Sequence, residues 1–490
     1  MEFLARAADA LWNPWLLGLF LATGLVYSAG SGWFQIFGFR TWWRATAGSL
    51  LQTRSTDGGG LSPLQALATA LASTMGTGSI AGVAAALTLG GPGAVFWMWV
   101  SALLGMMTSW GEKLLAVKYQ RTGPDGRLRG GPMYYIRDGL GSTPLAVCFC
   151  LACVPATLAG GNLVQSSSIA SSLEAAWGLP RLSTGLVTAL LAGLVMLGGL
   201  GRIAAVSSAL VPAMALLYLG SGTAVLLANW DRVPQALGLI VSCALSPAAA
   251  AGGGTGWTVA AALRYGVARG VFTNEAGLGT SAMAHGAARV DHPAQQGMWG
   301  IFEVFVSTVA VCTVTALAIL VSGVWDPAAP GTLTGAPLTA AAFGSVLGGF
   351  GQGAVALSLL LFAFSSILGW SYYGEQCLFF LFTKKERKCK GNFSVFPGKQ
   401  AVFLYRAVFL GCTVLGAVWS PHIIWQLVDL CNALMALPNL TALLFLAPQA
   451  LSLLRLRPET HPKKNNWKKP IDSQTKCAYH RDRNCAQARK

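Results

Sequence analysis

Long apolar segments follow one another through most of this sequence. Hydrophobic residues make up 54% of the chain and Asp, Glu, Lys and Arg only 11%, whereas a soluble domain carries about 25% charged residues. Because about 20 apolar residues cross the hydrocarbon core of a bilayer as a helix, the pattern predicts an all-α membrane protein with eleven transmembrane helices. The predicted spans are residues 11–37, 61–88, 93–117, 143–177, 183–200, 203–228, 257–284, 297–323, 344–382, 401–419 and 422–453.

The basic residues predict which side of the membrane each loop faces, since cytoplasmic loops retain Lys and Arg. With the N-terminus outside, 27 of the 34 basic residues fall in cytoplasmic segments and three in external ones. The net charge of +16 therefore reflects membrane topology and requires no nucleic-acid partner. We expect a cytoplasmic C-terminus, an external connection at 229–256 and a disordered basic tail at 454–490.

Two spans carry glycine and hydroxyl residues at the depth where a membrane helix is normally apolar. The second contains the segment Ala72–Gly82, which includes Gly76-Thr77-Gly78-Ser79. The seventh contains the segment Arg269–Ser281, which includes Asn274-Glu275-Ala276-Gly277-Leu278-Gly279. Backbone that leaves the helix inside a membrane is tolerated where it lines a cavity or meets a ligand. Half-helix N-termini suit a carboxylate and exposed carbonyls suit a cation, so a zwitterionic amino acid together with Na⁺ fits both. The alternative is that these glycines only allow close helix packing.

The two interrupted spans occupy corresponding positions in two halves of the chain. After one N-terminal span, five spans run from the first interruption to residue 228 and five from the second to residue 453. Because five is odd, the two halves cross the membrane in opposite directions, which is the inverted repeat of many secondary transporters. We predict an N-terminal helix and connection at 1–60, repeats at 61–228 and 257–453, and a binding site between the interruptions.

Several motifs resemble the alanine or glycine:cation symporter family, the sodium:alanine symporters of prokaryotes. They lie at Gly76–Gly82, Gly91–Trp99, Gly130–Tyr135, Phe272–Gly279, Ile367–Glu375 and Leu437–Leu440, and the resemblance extends to about residue 453. It implies a LeuT-type core preceded by one added helix, in the inner membrane of a prokaryote. It also implies sodium-coupled uptake of alanine or glycine by alternating access, with serine and the D-forms as further substrate candidates.

The resemblance also implies which residues contact the substrate. The carboxylate is expected at backbone N–H groups of the first interruption and the amino group at the second. The residues implied are Thr74, Thr77, Gly78, Ser79, Phe272, Thr273 and Asn274. Phe272 and Trp370 are candidate walls or gates, although aromatic side chains serve equally in packing.

Two amides lie in the fourth span, where Gly160-Gly161-Asn162-Leu163-Val164-Gln165 interrupts an otherwise apolar helix. Their spacing of three positions places Asn162 and Gln165 on one face of a helix. We predict that Gln165 contacts the substrate and that Asn162 supports it. Hydrogen bonding between helices is the alternative role for each amide.

A sodium site needs hard oxygen ligands, mostly neutral ones when a single charge is to be balanced. In the architecture that the resemblance implies, Ser365 and Ser366 of the ninth span face the first interruption. Carbonyls at Ala72, Ser73 and Met75 complete the site. The alternative is that both hydroxyls bond back to their own helix. We expect Na⁺ as the coupling ion, with no cofactor and no other metal.

The sequence departs from the family pattern at two positions. Ser79 stands where the family has Asn, and Ser307 stands where it has Asp. Loss of an amide and a carboxylate weakens oxygen ligation at a second cation position beside the substrate carboxylate. We therefore predict coupling through one cation site, with altered substrate preference.

Acidic residues inside the spans are candidates for function, because a charge at bilayer depth is costly unless it is paired or hydrated. The four acids are Glu275, Glu303, Glu375 and Asp429, and the available basic partners are Arg264, Arg269 and Arg406. Glu275 lies in the second interruption and is a candidate gate or proton-responsive group.

Three alternatives to sodium symport follow from these patterns. Glu275 favours proton-coupled symport or amino-acid exchange on the same fold. A channel is less consistent with paired interruptions around an occluded site. An enzyme is not expected, because the sequence contains no H-E-x-x-H motif, P-loop or nucleophile elbow.

Overall fold

Apolar helices account for nearly all of the chain that the structure describes. The structure is a computed structural model, and it describes residues 10–12, 14–49, 60–245, 258–325, 333–383, 397–419 and 421–455. In chain order the α-helices are α1 (Pro14–Gly30), α2 (Phe34–Phe37), α3 (Phe39–Ala45), α4 (Pro63–Thr74), α5 (Ala81–Gly90), α6 (Gly93–Lys118), α7 (Pro132–Asp138), α8 (Thr143–Leu158), α9 (Val164–Trp177), α10 (Arg181–Met196), α11 (Gly199–Ala228), α12 (Val233–Leu245), α13 (Val259–Asn274), α14 (Ala282–His285), α15 (Pro293–Val304), α16 (Thr313–Val321), α17 (Gly335–Thr383), α18 (Pro397–Val418) and α19 (Pro421–Arg455).

Seven helical runs in this described part are long and apolar enough to cross a membrane. They are Gly93–Lys118, Thr143–Trp177, Gly199–Ala228, Pro293–Val321, Gly335–Phe382, Gln400–Val418 and Ile424–Leu454. Helices α1, α5 and α10 are apolar but shorter. The chain is therefore a multi-pass helical membrane protein, which confirms the predicted class.

The first predicted span, residues 11–37, does not form one continuous helix. Helix α1 ends at Gly30, and Gly32 and Trp33 follow with φ angles of +68° and +56°. Glycine adopts this left-handed conformation without steric cost, so Gly32 allows the chain to turn into α2 and α3. The predicted span was longer than α1 because the residues after the turn are also apolar.

The first interruption lies where the sequence predicts it. Helix α4 begins at a capping box, in which Ser62 Oγ accepts from the Gln65 N–H and Gln65 Oε1 accepts from the Ser62 N–H. It ends at Thr74, and α5 begins only at Ala81. The six residues between them include a single 3₁₀ turn at Thr77–Ser79.

The second interruption begins at Glu275, directly after the Phe272 to Asn274 segment to which the sequence assigned it. Phe272 to Asn274 form the last turn of α13, and the chain leaves the helix at Glu275, whose φ is +55°. Gly277 and Gly279 are also left-handed, with φ angles of +91° and +79°. Two such glycines within three residues prevent the helix from continuing. The second half of the predicted span is correspondingly short, since α14 has four residues.

Two further spans widen without breaking. A π-helical segment at Ala159–Leu163 joins α8 to α9, and another at Phe305–Cys312 joins α15 to α16. The predicted interruption at Gly160 is therefore a local π bulge, a feature often found at functional sites. In α17 the only non-helical residue is Gly348, with a φ of +62°.

The connecting segments are short or lie partly outside the described residues. A two-stranded antiparallel hairpin, β1 (Arg121–Thr122) and β2 (Leu128–Arg129), follows α6. Helix α12 occupies the first half of the predicted connection 229–256, whose residues 246–256 are outside the described part. The predicted tail 454–490 likewise lies outside it beyond residue 455.

Helix α6 lies at the centre of the packing and contacts α1, α13 and α15. Glycines permit the closest approach: a Cβ at Gly297 would lie 2.8 Å from Trp110 Cδ1, and one at Gly300 would lie 2.9 Å from Ser109 O. Small residues at membrane helix interfaces allow such backbone contact. Helix α17 packs on the other side against α4, α9 and α11, so both interruptions are enclosed by helices.

Candidate substrate and cation site

A small buried cavity lies between the two interruptions. It is lined by Ser73, Thr74, Gly76, Gly78, Gly160, Gln165, Phe272, Glu275 and Trp370. Its volume of about 10 Å³ gives room for about one water molecule. The lining combines three glycines, polar groups and two aromatic walls, so the cavity can expand only if side chains or half-helices move.

Gln165, the predicted substrate contact, reaches the backbone of the first interruption. Its Oε1 accepts a hydrogen bond from the Thr77 N–H at 3.2 Å, and its Nε2 donates to Gly160 O at 3.1 Å. The Gly160 carbonyl belongs to the π bulge, where one backbone acceptor is freed from the regular helix pattern. Gln165 therefore connects the π bulge to the first interruption. It accepts a hydrogen bond from the Thr77 N–H, one of the groups that the resemblance assigns to the substrate carboxylate.

Asn162 does not line the cavity. Its Nδ2 donates to Phe409 O on α18 at 2.5 Å. The π bulge adds a residue to the turn, so a spacing of three no longer places two side chains on one face. In this structure Asn162 makes the interhelical hydrogen bond that was its alternative role.

The two predicted aromatic walls both border the cavity. A Cβ at Gly78 would lie 2.9 Å from Phe272 Cδ1, and one at Gly161 would lie 2.3 Å from Trp370 Cβ. Phe272 also packs against Trp425 with ring centroids 5.2 Å apart. Each aromatic ring is thus positioned by a glycine of the opposing segment.

The serine pair of α17 meets the end of α4. Ser365 Oγ donates to Ala72 O at 2.9 Å, and Ser366 Oγ lies 3.1 Å from Ala72 O and 2.9 Å from Ser73 O. Ser365 Oγ also lies 2.9 Å from Phe362 O of its own helix, so the alternative of back-bonding holds for this hydroxyl as well. All of these oxygens are neutral and buried.

Met75 and the Ser73 side chain lie at the edge of this oxygen cluster. Met75 is the first residue beyond α4, and its N–H donates to Leu71 O at 2.8 Å. Ser73 Oγ lies 2.6 Å from the Tyr373 hydroxyl and donates to Thr69 O at 2.8 Å. The Ser73 carbonyl, and not its hydroxyl, is therefore the group that faces Ser366.

Five predicted substrate contacts lie outside the cavity lining, namely Thr77, Ser79, Asn162, Thr273 and Asn274. Ser79 O accepts from Thr315 Oγ1 at 2.8 Å, and Thr273 Oγ1 donates to Arg269 O at 2.8 Å. Asn274 Oδ1 accepts from the Ala276 N–H at 3.0 Å, which stabilises the first turn of the interruption. The Ser79 carbonyl is thus bonded to α16, the Thr273 hydroxyl to its own helix, and the Asn274 side chain to the backbone of the second interruption.

Ser307 is buried in the π segment between α15 and α16, where its hydroxyl lies 3.5 Å from Thr308 Oγ1. That segment packs against the Thr77–Ser79 turn. Both departures from the family pattern therefore belong to neighbouring segments.

The four acids of the predicted spans have different partners. Glu375 pairs with Arg406 at 2.6 Å, and Asp429 lies 3.8 Å from Arg269. Glu275 borders the cavity and accepts from the Thr280 hydroxyl within the same interruption. A non-glycine residue with positive φ is uncommon and often marks a functional position, which fits the location of Glu275.

The fourth acid, Glu303, belongs to a charged cluster that the sequence did not reveal. Its Oε2 lies 3.4 Å from Lys113 Nζ and 3.1 Å from His285 Nε2. Glu112 lies next to Lys113 and is equally buried. The signal in the sequence was an acid and a base side by side within an apolar span, but neighbours on a helix point in different directions and suggest no pairing.

The fold defines the class of protein: a multi-pass helical membrane protein with two discontinuous helices and a small cavity between them, an arrangement that is typical of secondary transporters. The chain belongs to the sodium:alanine symporter family, whose family model matches residues 1–470. Members of this family are transporters and not enzymes.

Curated relatives match over nearly the whole chain. An uncharacterized transporter of Haemophilus influenzae is 41% identical, with 91% of this chain and 93% of that protein covered. The sodium/alanine symporter AgcS of Methanococcus maripaludis is 39% identical, with 90% and 94% covered. The probable sodium/glutamine symporter GlnT of Bacillus subtilis is 36% identical, with 92% and 89% covered.

The contact between Gly161 and Trp370 can be tested by adding a single methyl group. Gly161→Ala places a Cβ 2.3 Å from Trp370 Cβ, so Trp370 must move, and overpacking of this kind costs about 1–3 kcal/mol of folding free energy. We expect a lower unfolding midpoint in detergent. Gly82→Ala is the control, because nothing lies within 4 Å of its Cβ position. Equal midpoints for the two variants would contradict the assigned packing.

Proposed function

We propose that this chain is a sodium-coupled symporter that carries a small neutral amino acid into the cell by alternating access. The observation that supports this proposal most is that the candidate cation site and the cavity both lie at the C-terminal end of α4. Ala72 and Ser73 offer carbonyls to the serine pair of α17, and Ser73 and Thr74 line the cavity. A cation bound at the carbonyls and a substrate bound in the cavity would therefore stabilise the same interruption.

The oxygen cluster suits Na⁺ as the coupling ion. Its four described oxygens, from Ala72, Ser73, Ser365 and Ser366, are hard and uncharged, and such ligands suit a hard cation of low charge. Met75 supplies the next carbonyl along the chain. The hydroxyl protons that now point at the carbonyls would rotate away when the ion binds.

The substrate assignment follows from the polarity of the two interruptions. The substrate carboxylate would take the Thr77 N–H from Gln165 and approach Gly78 and Ser79, whereas the amino group would face the last turn of α13. There the carbonyls of Phe272, Thr273 and Asn274 lie at a helix C-terminus, where backbone acceptors lack intrahelical donors. The small cavity between Phe272 and Trp370 favours alanine or glycine, with serine and the D-forms as further candidates.

We extend the proposal to the architecture of the whole chain. It comprises eleven transmembrane helices, one at the N-terminus followed by inverted repeats at 61–228 and 257–453 in a LeuT-type arrangement. Residues 1–60 hold the first helix and its cytoplasmic connection, 229–256 are external and 454–490 form a cytoplasmic tail. The protein resides in the inner membrane of a prokaryote with its N-terminus outside. The supporting observation is that α4–α5 and α13–α14 are both discontinuous.

We propose one coupling cation for each amino acid. Serine at positions 79 and 307 leaves hydroxyls where the family pattern supplies an amide and a carboxylate, so a second cation position has weaker ligands. The packing of the π segment around Ser307 against the Thr77–Ser79 turn supports this proposal.

Proton-coupled symport or exchange on the same fold is the second candidate. It is favoured by one observation, the presence of the Glu275 carboxyl group in the cavity lining. Glu275 would then gate the site or carry the proton.

Uptake of labelled alanine and glycine into proteoliposomes tests the proposal. We expect accumulation with an inward Na⁺ gradient and none with an equal K⁺ gradient. The dependence of the initial rate on Na⁺ should have a Hill slope near one. Accumulation driven by a pH gradient without Na⁺ would instead support the second candidate, and a Hill slope near two would contradict a single cation site.

The assigned cation ligands predict a specific defect. Ser365→Ala and Ser366→Ala each remove one oxygen, and a net loss of about 1–1.5 kcal/mol raises the Na⁺ concentration for half-maximal uptake about tenfold. Ser371→Ala is the matched control, since Ser371 is buried on the same helix and its Oγ donates to Leu368 O. If the control shifts as much as the two ligand variants, the cation site is elsewhere.

A further inference from the structure

A lysine is completely buried beside the second interruption. Lys113 Nζ donates to Ser109 Oγ at 2.8 Å and to Ser281 Oγ at 2.7 Å, and its side chain has no exposed surface. Glu303 Oε2 lies 3.4 Å away and Glu112 Oε2 3.6 Å away. The ammonium group is thus surrounded by four oxygens from α6, α15 and the last residue of the interruption.

The charges around Lys113 do not balance. Gln296 Nε2 lies 2.5 Å from His285 Nδ1, and because an amide nitrogen only donates, His285 accepts there and carries its proton on Nε2, facing Glu303. Two carboxyl groups, those of Glu112 and Glu303, face one ammonium group. Removing the ammonium group would leave two uncompensated buried charges, which is strongly destabilising.

Glu112 and Lys113 hold two points of the interruption from one helix. Glu112 Oε1 accepts from the Gly277 N–H at 2.9 Å and from Asn439 Nδ2 at 2.7 Å. Lys113 holds Ser281, four residues further along. The other carboxylate oxygen, Glu112 Oε2, has no hydrogen-bond partner among the described residues, so the ammonium group is its counter-charge.

We propose that the Lys113 ammonium group is a tethered cation that occupies an oxygen cage at the second interruption, and that removing it without filling its space turns the cage into a site for Na⁺. The ligands, two hydroxyls and two carboxyl groups from three segments, are hard oxygen ligands of the kind that bind a hard cation. Lys113 is a positioning residue: through Ser281 it holds the second interruption in place, and Glu275 of that interruption lines the cavity. The inference rests on the proposed function only in the expected change in the Na⁺ dependence of alanine uptake.

Two variants separate the effect of the volume that the Lys113 side chain fills from the effect of its positive charge. Lys113→Ala removes the ammonium group and leaves room for an ion, whereas Lys113→Met removes the same charge and fills the space with an unbranched apolar chain. The first readout is the unfolding midpoint of the purified protein in NaCl against choline chloride. The second is the Na⁺ dependence of alanine uptake.

We expect Lys113→Met to lose at least tenfold in uptake rate in any salt. Lys113→Ala should recover in high NaCl, with a larger Na⁺-dependent rise in midpoint than the wild type and a Hill slope that increases from about one to about two. Equal responses of the two variants to Na⁺, or wild-type uptake by Lys113→Met, would overturn the proposal. The unfolding midpoint can be measured without any uptake. A failure of the proposed symport activity can therefore be distinguished from a failure of the proposed role of Lys113.

A double variant covers the case in which neither single variant accumulates in the membrane. Lys113→Met/Glu303→Gln removes one charge of each sign and should accumulate where Lys113→Met does not. If the double variant is no better than the single one, the ammonium group does not act through its charge and the proposal is wrong.

Discussion

The structure depends on one constraint of the membrane interior, that every backbone N–H and C=O group needs a partner. The two interruptions remove helical hydrogen bonds at that depth, and side chains from other helices replace them. At the first interruption, Gln165 accepts a hydrogen bond from the Thr77 N–H. Ser365 and Ser366 donate hydrogen bonds to the last carbonyls of α4. At the second, Glu112 and Asn439 bond to Gly277.

These substitute partners explain how ion and substrate could be coupled. The last residues of α4 present carbonyls to the α17 serines on one side and border the cavity on the other. The partners of a polar backbone group in the interior can be exchanged but not simply lost, because an unpaired group is costly. A cation that draws the serine hydroxyls away, and a carboxylate that displaces Gln165, would each change the free energy of the same six-residue segment.

Much of this arrangement was predictable from the sequence. Glycine and hydroxyl residues inside apolar spans identified both interruptions. The amide pattern of the fourth span pointed to Gln165, and the resemblance pointed to Phe272, Trp370 and the serine pair. The sequence left two roles open for Asn162, and its hydrogen bond to Phe409 O on α18 was not predictable because a π bulge changes which residues share a face. Lys113 and Glu112 were overlooked because their importance depends on α15 and the second interruption, which are far away in the sequence and become neighbours only in the folded chain.

Binding of alanine to the purified protein tests most directly the central claim that both interruptions form one coupled site. Calorimetry in NaCl should show one alanine per chain, with affinity that weakens at least tenfold in choline chloride. By reciprocity, saturating alanine should strengthen Na⁺ binding by the same factor. Alanine affinity that is equal in the two salts would contradict the account.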